Sequence, residues 1–181
     1  MNEEISEELR GKLIELARLQ DGEAGDLTDE HERWELYRVA IEDGIGVAEL
    51  FDLISLEPDS VLASSVVIQM VERSAPDERR LWVARLPAEG QGYADGRVVE
   101  LETVDKLCSG EIPHDQVTDS LENWSNWLQL RITEFVEDTA VLRILAEQGR
   151  TKRVRRQAAE ALHHLCGGLP PGRFRLRDHR A

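Results

Sequence analysis

Apolar residues recur along this chain at spacings of three and four, and that rhythm constrains the fold more than any other feature. Ile5, Leu9, Leu13, Leu16 and Leu19 step by four, four, three and three. Val117, Leu121, Trp124, Leu128, Ile132 and Phe135 step by four, three, four, four and three. Such steps lay one apolar stripe along one face of an α-helix, whereas a half-buried strand alternates every second residue. Gly, Pro, Asp and Ser punctuate the runs at short intervals. The pattern predicts roughly nine short helices and an all-α fold.

The first helix is predicted over residues 3–20, with Glu3, Glu4, Ser6, Glu7 and Glu8 at the end where the helix dipole favours negative charge. Thr28 or Asp29 caps a second helix that puts Trp34, Tyr37, Ala40 and Ile41 on one side and stops at Asp43-Gly44. A third covers residues 46–56. Residues 61–72 are apolar enough for a buried strand, but the helical neighbours and Pro58 favour a buried helix. Another helix starts at Ser74-Ala75-Pro76-Asp77 and ends near Pro87. Gly90, Gly92 and Gly96 predict a surface loop over residues 90–96. A helix over 98–107, one long helix from Pro113 to Phe135, and two more after Asp138 and Gly149 complete the chain.

A length of 181 residues suits one domain with a real core, and 41% hydrophobic residues exclude a disordered chain. The expectation is a helical domain over residues 1–168 and a basic flexible tail over 169–181. No run approaches the ~18 apolar residues of a membrane helix. The opening Met1-Asn2-Glu3-Glu4 is acidic, unlike a secretory leader. A cytoplasmic protein without a membrane partner is therefore expected. Cys108 and Cys166 are expected to be unpaired, buried thiols.

Residues 154–165 read Val154-Arg155-Arg156-Gln157-Ala158-Ala159-Glu160-Ala161-Leu162-His163-His164-Leu165. This resembles the second helix of a HEAT repeat, and Val141-Leu142-Arg143-Ile144-Leu145-Ala146 resembles the first. The resemblance is specific over about residues 138–165. It implies small Ala158 and Ala161 at a close helix approach, with Val154, Leu162 and Leu165 filling the groove between hairpins. A single hairpin cannot bury its apolar face alone, so a short α-solenoid of HEAT-like hairpins is implied. An irregular compact helical bundle is the alternative. A fainter copy over residues 47–71 lacks the Arg after Val61, and Thr151-Lys152-Arg153 replaces the usual turn Asp in the last repeat.

Charge divides the chain unevenly. Residues 150–181 hold nine Lys and Arg against two Asp and Glu, a net of +7; residues 1–149 hold 13 against 34, a net of -21. Arg150, Lys152, Arg153, Arg155 and Arg156 fall within seven positions and form a candidate anion or partner patch. Three readings stay open for the basic end: neutralising the acidic body, binding a partner's acidic segment or nucleic acid, or solubilising the chain. A formal net charge of -14 argues against a general nucleic-acid binder. Trp124 belongs to the apolar stripe. Trp127 lies off its centre and reads either as packing on a neighbouring hairpin or as an exposed aromatic anchor.

Catalytic signatures are missing from the sequence. There is no phosphate loop and no dinucleotide fingerprint. His31-Glu32-Arg33-Trp34-Glu35 departs from HExxH at its last position. His163 and His164 point about 100° apart on a helix, and His163 with Cys166 gives too few ligands for a closed metal site. No cofactor or metal is expected. The expected function is a non-enzymatic protein-protein interaction module: an adaptor, scaffold or inhibitor presenting a charged helical surface. The alternatives are a nucleic-acid-directed protein using the basic end, and a HEAT-like enzyme such as a DNA glycosylase.

Overall fold

Side-chain oxygens at loop ends set where most helices begin. Ser6 accepts the Leu9 amide, Asp29 the His31 amide, Asp59 those of Val61 and Leu62, Ser125 that of Leu128, and Asp138 those of Ala140 and Val141. Each cap takes up an amide that the first helical turn leaves without a partner, a contribution of about 1 kcal/mol. A computed structural model describes residues 5–167. The described chain is all-α, with no strand among the described residues. In order, the helices are α1 (Glu7–Leu19), α2 (Glu30–Asp43), α3 (Val47–Leu53), α4 (Ser60–Arg73), α5 (Arg79–Val83), α6 (Ala88–Ser109), α7 (His114–Ser120), α8 (Asn126–Phe135), α9 (Thr139–Gln148) and α10 (Lys152–Gly167). Short 3-10 turns extend α3 at Ile54–Leu56 and α7 at Leu121–Asn123.

The chain divides into two compact units, with the boundary between Val99 and Glu100 inside α6. In the first, α1 packs on α2 and α3, and α2 packs on α3 and α4. Leu9, Leu13, Leu16, Tyr37, Ala40, Leu50, Leu53, Val66, Val67 and Val71 are fully buried there. Gly44 ends α2 in the left-handed region, at φ 74°, and Gly46 follows at φ 78°. A Cβ on Gly46 would stand 2.5 Å from Leu16 Cδ1, so this turn needs glycine twice over, for its backbone and for its space. In the second unit, α9 and α10 pack along each other, and both pack on α8. Its core joins Val104, Leu107, Val117, Leu121, Trp124, Leu128, Ile132, Val136, Val141, Leu145, Val154 and Ala158.

Several expectations are corrected. Residues 90–96 are not a loop; they form the first turns of α6, the longest helix. Three glycines there cost about 1 kcal/mol each relative to alanine. Burial of Ala94, Val98, Leu101, Val104 and Leu107 at helical spacing outweighs that cost. The run from Pro113 to Phe135 is not one helix. It breaks at Leu121–Asn123, Trp124 turns extended at ψ 134°, and Ser125 starts α8. The stripe survives the break, since Val117, Leu121, Trp124, Leu128 and Ile132 remain buried, but Phe135 is 46% exposed. Both cysteines are free and exposed rather than buried. Leu165 is 38% exposed and does not fill a groove among the described residues. Its helix has 16 residues against the 10 of α9, so α10 outruns its neighbour by about 9 Å at 1.5 Å per residue. Residues 169–181, expected as a basic tail, lie outside the described residues.

Candidate functional site

The five basic residues at the start of α10 do not act alike. Thr151, standing where the turn Asp is absent, accepts the Val154 amide at 3.2 Å and so opens the helix. Arg150 is tied down: its amide donates to Gln129 Oε1 at 2.8 Å and its guanidinium to the Trp124 carbonyl at 3.3 Å. Arg155 donates to the Gly149 carbonyl at 2.5 Å. Arg156 lies 3.7 Å from Glu160, an exposed pair of little energetic weight. Lys152 and Arg153 are exposed and have no ion pair among the described residues.

Their position is electrostatically unfavourable to their own helix. The start of a helix carries partial positive charge, and a cation there costs the helix roughly 0.3–1 kcal/mol. Several other helices follow this rule, with Glu7 and Glu8 beginning α1, Glu30 and Glu32 beginning α2, Glu89 beginning α6 and Asp115 beginning α7, whereas α5 opens on Arg79 and Arg80. The first turn of α10 has no acidic residue.

Trp127 sits at the edge of the second core, half-buried, on the first turn of α8. The Arg131 guanidinium carbon stands 5.1 Å above its ring and 5.8 Å from the Phe135 ring. These three residues follow one another at intervals of four, so they share a face of α8. Arg131 also pairs with Glu134 at 2.8 Å. Asn126 Oδ1 accepts the Thr151 hydroxyl at 3.1 Å, which brings the first residue of α8 against the cap of α10. The basic segment and the helix bearing Trp127 therefore meet at their starts.

Among the buried polar residues that escaped the sequence reading, Gln129 and the Arg33–Glu57 pair stand out by their bonds. Gln129 is fully buried, and its Nε2 donates to the carbonyls of Leu121 at 3.1 Å and Trp124 at 3.3 Å. The only sequence trace of it is an amide flanked by Leu128 and Leu130 on an otherwise apolar shoulder. In the first unit Arg33, 3% exposed, donates to both oxygens of Glu57 at 3.0 and 2.9 Å and to the carbonyls of Leu27 and Thr28. Tyr37 donates to the same carboxylate at 2.6 Å. Burial opposes the Arg33 charge, but the Glu57 carboxylate overrides it and holds that guanidinium above its ordinary value. Burial, reinforced by the Glu57 charge, raises the Tyr37 hydroxyl far above the phenolic range. Every polar atom of this cluster faces a partner, so it reads as structural and not as a reactive site.

No activated nucleophile stands out among the described residues. The Cys108 thiol, on an exposed residue, donates to the Phe135 carbonyl at 3.6 Å, and desolvation by the atoms around its sulfur together with the charges of Asp105 and Glu137 pushes its pKa up, away from thiolate. Among the described residues no three His, Cys, Asp or Glu side chains gather in a metal-holding group. No helix there is long and apolar enough to cross a membrane. No family model matches the chain, and neither a curated protein nor a solved structure matches it.

Proposed function

We propose that the chain is a non-enzymatic protein-interaction module of HEAT-like type, an adaptor, scaffold or inhibitor that holds an acidic segment of a partner protein. The basic start of α10 is the contact surface, with Trp127 on the adjoining helix as its aromatic anchor. One observation carries this reading: Lys152 and Arg153 stand exposed and without an ion pair among the described residues, at the helix end where positive charge is least favourable. A carboxylate arriving there relieves that repulsion and gains a charge-assisted hydrogen bond. Trp127 adds apolar area of the sort concentrated at the centre of protein interfaces. Fully buried Ala158 lies within the HEAT-like span, and its small side chain suits a close helix approach. Charge favours a short acidic peptide over nucleic acid. The formal net charge of -14 over the chain opposes a long polyanion.

The test is a fluorescence-anisotropy titration of the full chain with a labelled oligoglutamate peptide and, separately, a labelled single-stranded oligonucleotide. Saturable peptide binding that weakens with salt, and that falls at least about ten-fold in K152E/R153E, is expected. Absence of peptide binding at low salt, or preference for the oligonucleotide, overturns the proposal. So does turnover of a substrate by the purified chain alone.

A further inference from the structure

Two connections meet around Gln129. One is the corner at Leu121–Trp124 that leads into α8, and the other is the turn at Gly149–Thr151 that leads into α10. The Gln129 amide bonds both: Nε2 donates to the Leu121 and Trp124 carbonyls, and Oε1 accepts the Arg150 amide. At 0% exposure no water stands ready to replace these bonds. The other ties between the two connections are weaker anchors. The Thr151–Asn126 bond is exposed, and the Arg150 guanidinium shares the Trp124 carbonyl with Gln129.

We infer that Gln129 is the positioning residue of the proposed contact surface: its amide fixes the start of α10, and with it Lys152 and Arg153, against the helix that bears Trp127. The inference rests on the proposed function for its effect on binding, but its structural half stands alone. The chemistry is specific to an amide. A carboxylate at this position accepts from Arg150 but has no proton for the two carbonyls, while a protonated carboxyl restores one donor. Leucine supplies neither.

The experiment is amide hydrogen exchange by NMR on the full chain, comparing wild type, Gln129→Leu and Gln129→Glu across pH, with oligoglutamate affinity measured alongside. In Gln129→Leu the amides of Arg150, Val154 and Arg155 lose protection about ten-fold or more at every pH, while α1 to α4 keep theirs. In Gln129→Glu the Arg150 amide keeps its acceptor, while the Trp124 and Leu128 amides at the corner are protected in acid and lose protection as the carboxyl ionises and can no longer donate to the Leu121 and Trp124 carbonyls, a pH profile that the wild type lacks. Peptide affinity falls with the protection, although Lys152, Arg153 and Trp127 are all still present. If the Gln129→Leu chain does not fold, the pH profile of Gln129→Glu decides alone. Unchanged protection at Arg150 in Gln129→Leu, or at Trp124 when Gln129→Glu is ionised, overturns the inference. Lost protection with peptide affinity within about two-fold of wild type also overturns it, leaving Gln129 a packing residue only. A wild type that binds no peptide removes the proposed function, while the exchange profile still shows whether Gln129 holds the turn.

Discussion

The two units solve the same problem with different chemistry. Each contains irregular backbone between helices that must be held without solvent. The first unit uses an ion pair: Arg33 grips Glu57 with two nitrogens and the Leu27 and Thr28 carbonyls with a third, and Tyr37 closes the cluster. The second uses one neutral amide, Gln129, on three backbone groups. Burying a charge pair is costly, and each partner then becomes indispensable to the other. A neutral amide risks less and fixes position equally well. The surfaces differ in the same sense. The first unit is strongly acidic, while the second, with 12 basic against 13 acidic residues, is nearly neutral overall and places five of its cations within residues 150–156.

Breaking the ion pair is expected to have the largest effect. Arg33→Met leaves the Glu57 carboxylate buried without its cation and costs about 3–5 kcal/mol. Urea unfolding followed through the four indole N–H resonances checks this, because Trp34 and Trp82 report on the first unit and Trp124 and Trp127 on the second. The midpoint of the first pair drops and the second pair moves less. Gln129→Leu does the converse with a smaller loss of about 1–3 kcal/mol, since only neutral groups lose partners. Equal losses at both indole pairs in both variants would erase the contrast between the pins.

Alkali sharpens the comparison further. The Tyr37 pKa is raised by folding, so above about pH 10 the unfolded chain releases a proton that the folded chain retains. Stability falls with rising pH there by about 1.4 kcal/mol per unit for this group. Tyr37→Phe removes that component of the slope, measured as the difference in unfolding free energy between variant and wild type from pH 9 to 11. Both tyrosines of the chain lie in the first unit. The smallest effect belongs to the glycines of α6. Gly92 and Gly96 have no neighbour within 4 Å of an added Cβ and neither has a positive φ. Each Gly→Ala change stabilises the helix by about 0.5–1 kcal/mol, read as a higher thermal midpoint. A lower midpoint would mean that one of these positions needs its bare backbone.

What the sequence made legible follows from the reach of each interaction. Caps and stripes are local, so Thr28 or Asp29 and Asp138 could be placed as helix starts, and Val61 to Glu72 as helix rather than strand; Pro58, expected in the first turn of that helix, instead precedes its cap Asp59. The glycine-rich start of α6 was misread because its propensity points to a loop and only tertiary burial of Ala94 and Val98 reverses that. The α7–α8 break was misread because an unbroken stripe conceals a local competition, in which Ser125 and Gln129 take backbone groups that a continuous helix would use. Arg33 and Glu57 are 24 positions apart, and nothing in either neighbourhood marks them as partners. The basic segment was visible as composition. Only coordinates separate Arg150 and Arg155, which serve backbone carbonyls, from Lys152 and Arg153 at the surface.

The most direct measurement is an NMR titration of the full chain with the oligoglutamate peptide, observed at the indole N–H groups. The account predicts that the Trp127 resonance shifts saturably, that salt reverses the shift, and that Trp34 and Trp82 stay in place. Movement of Trp34 or Trp82 with Trp127 unmoved, or no movement at any indole while the peptide binds, would contradict it.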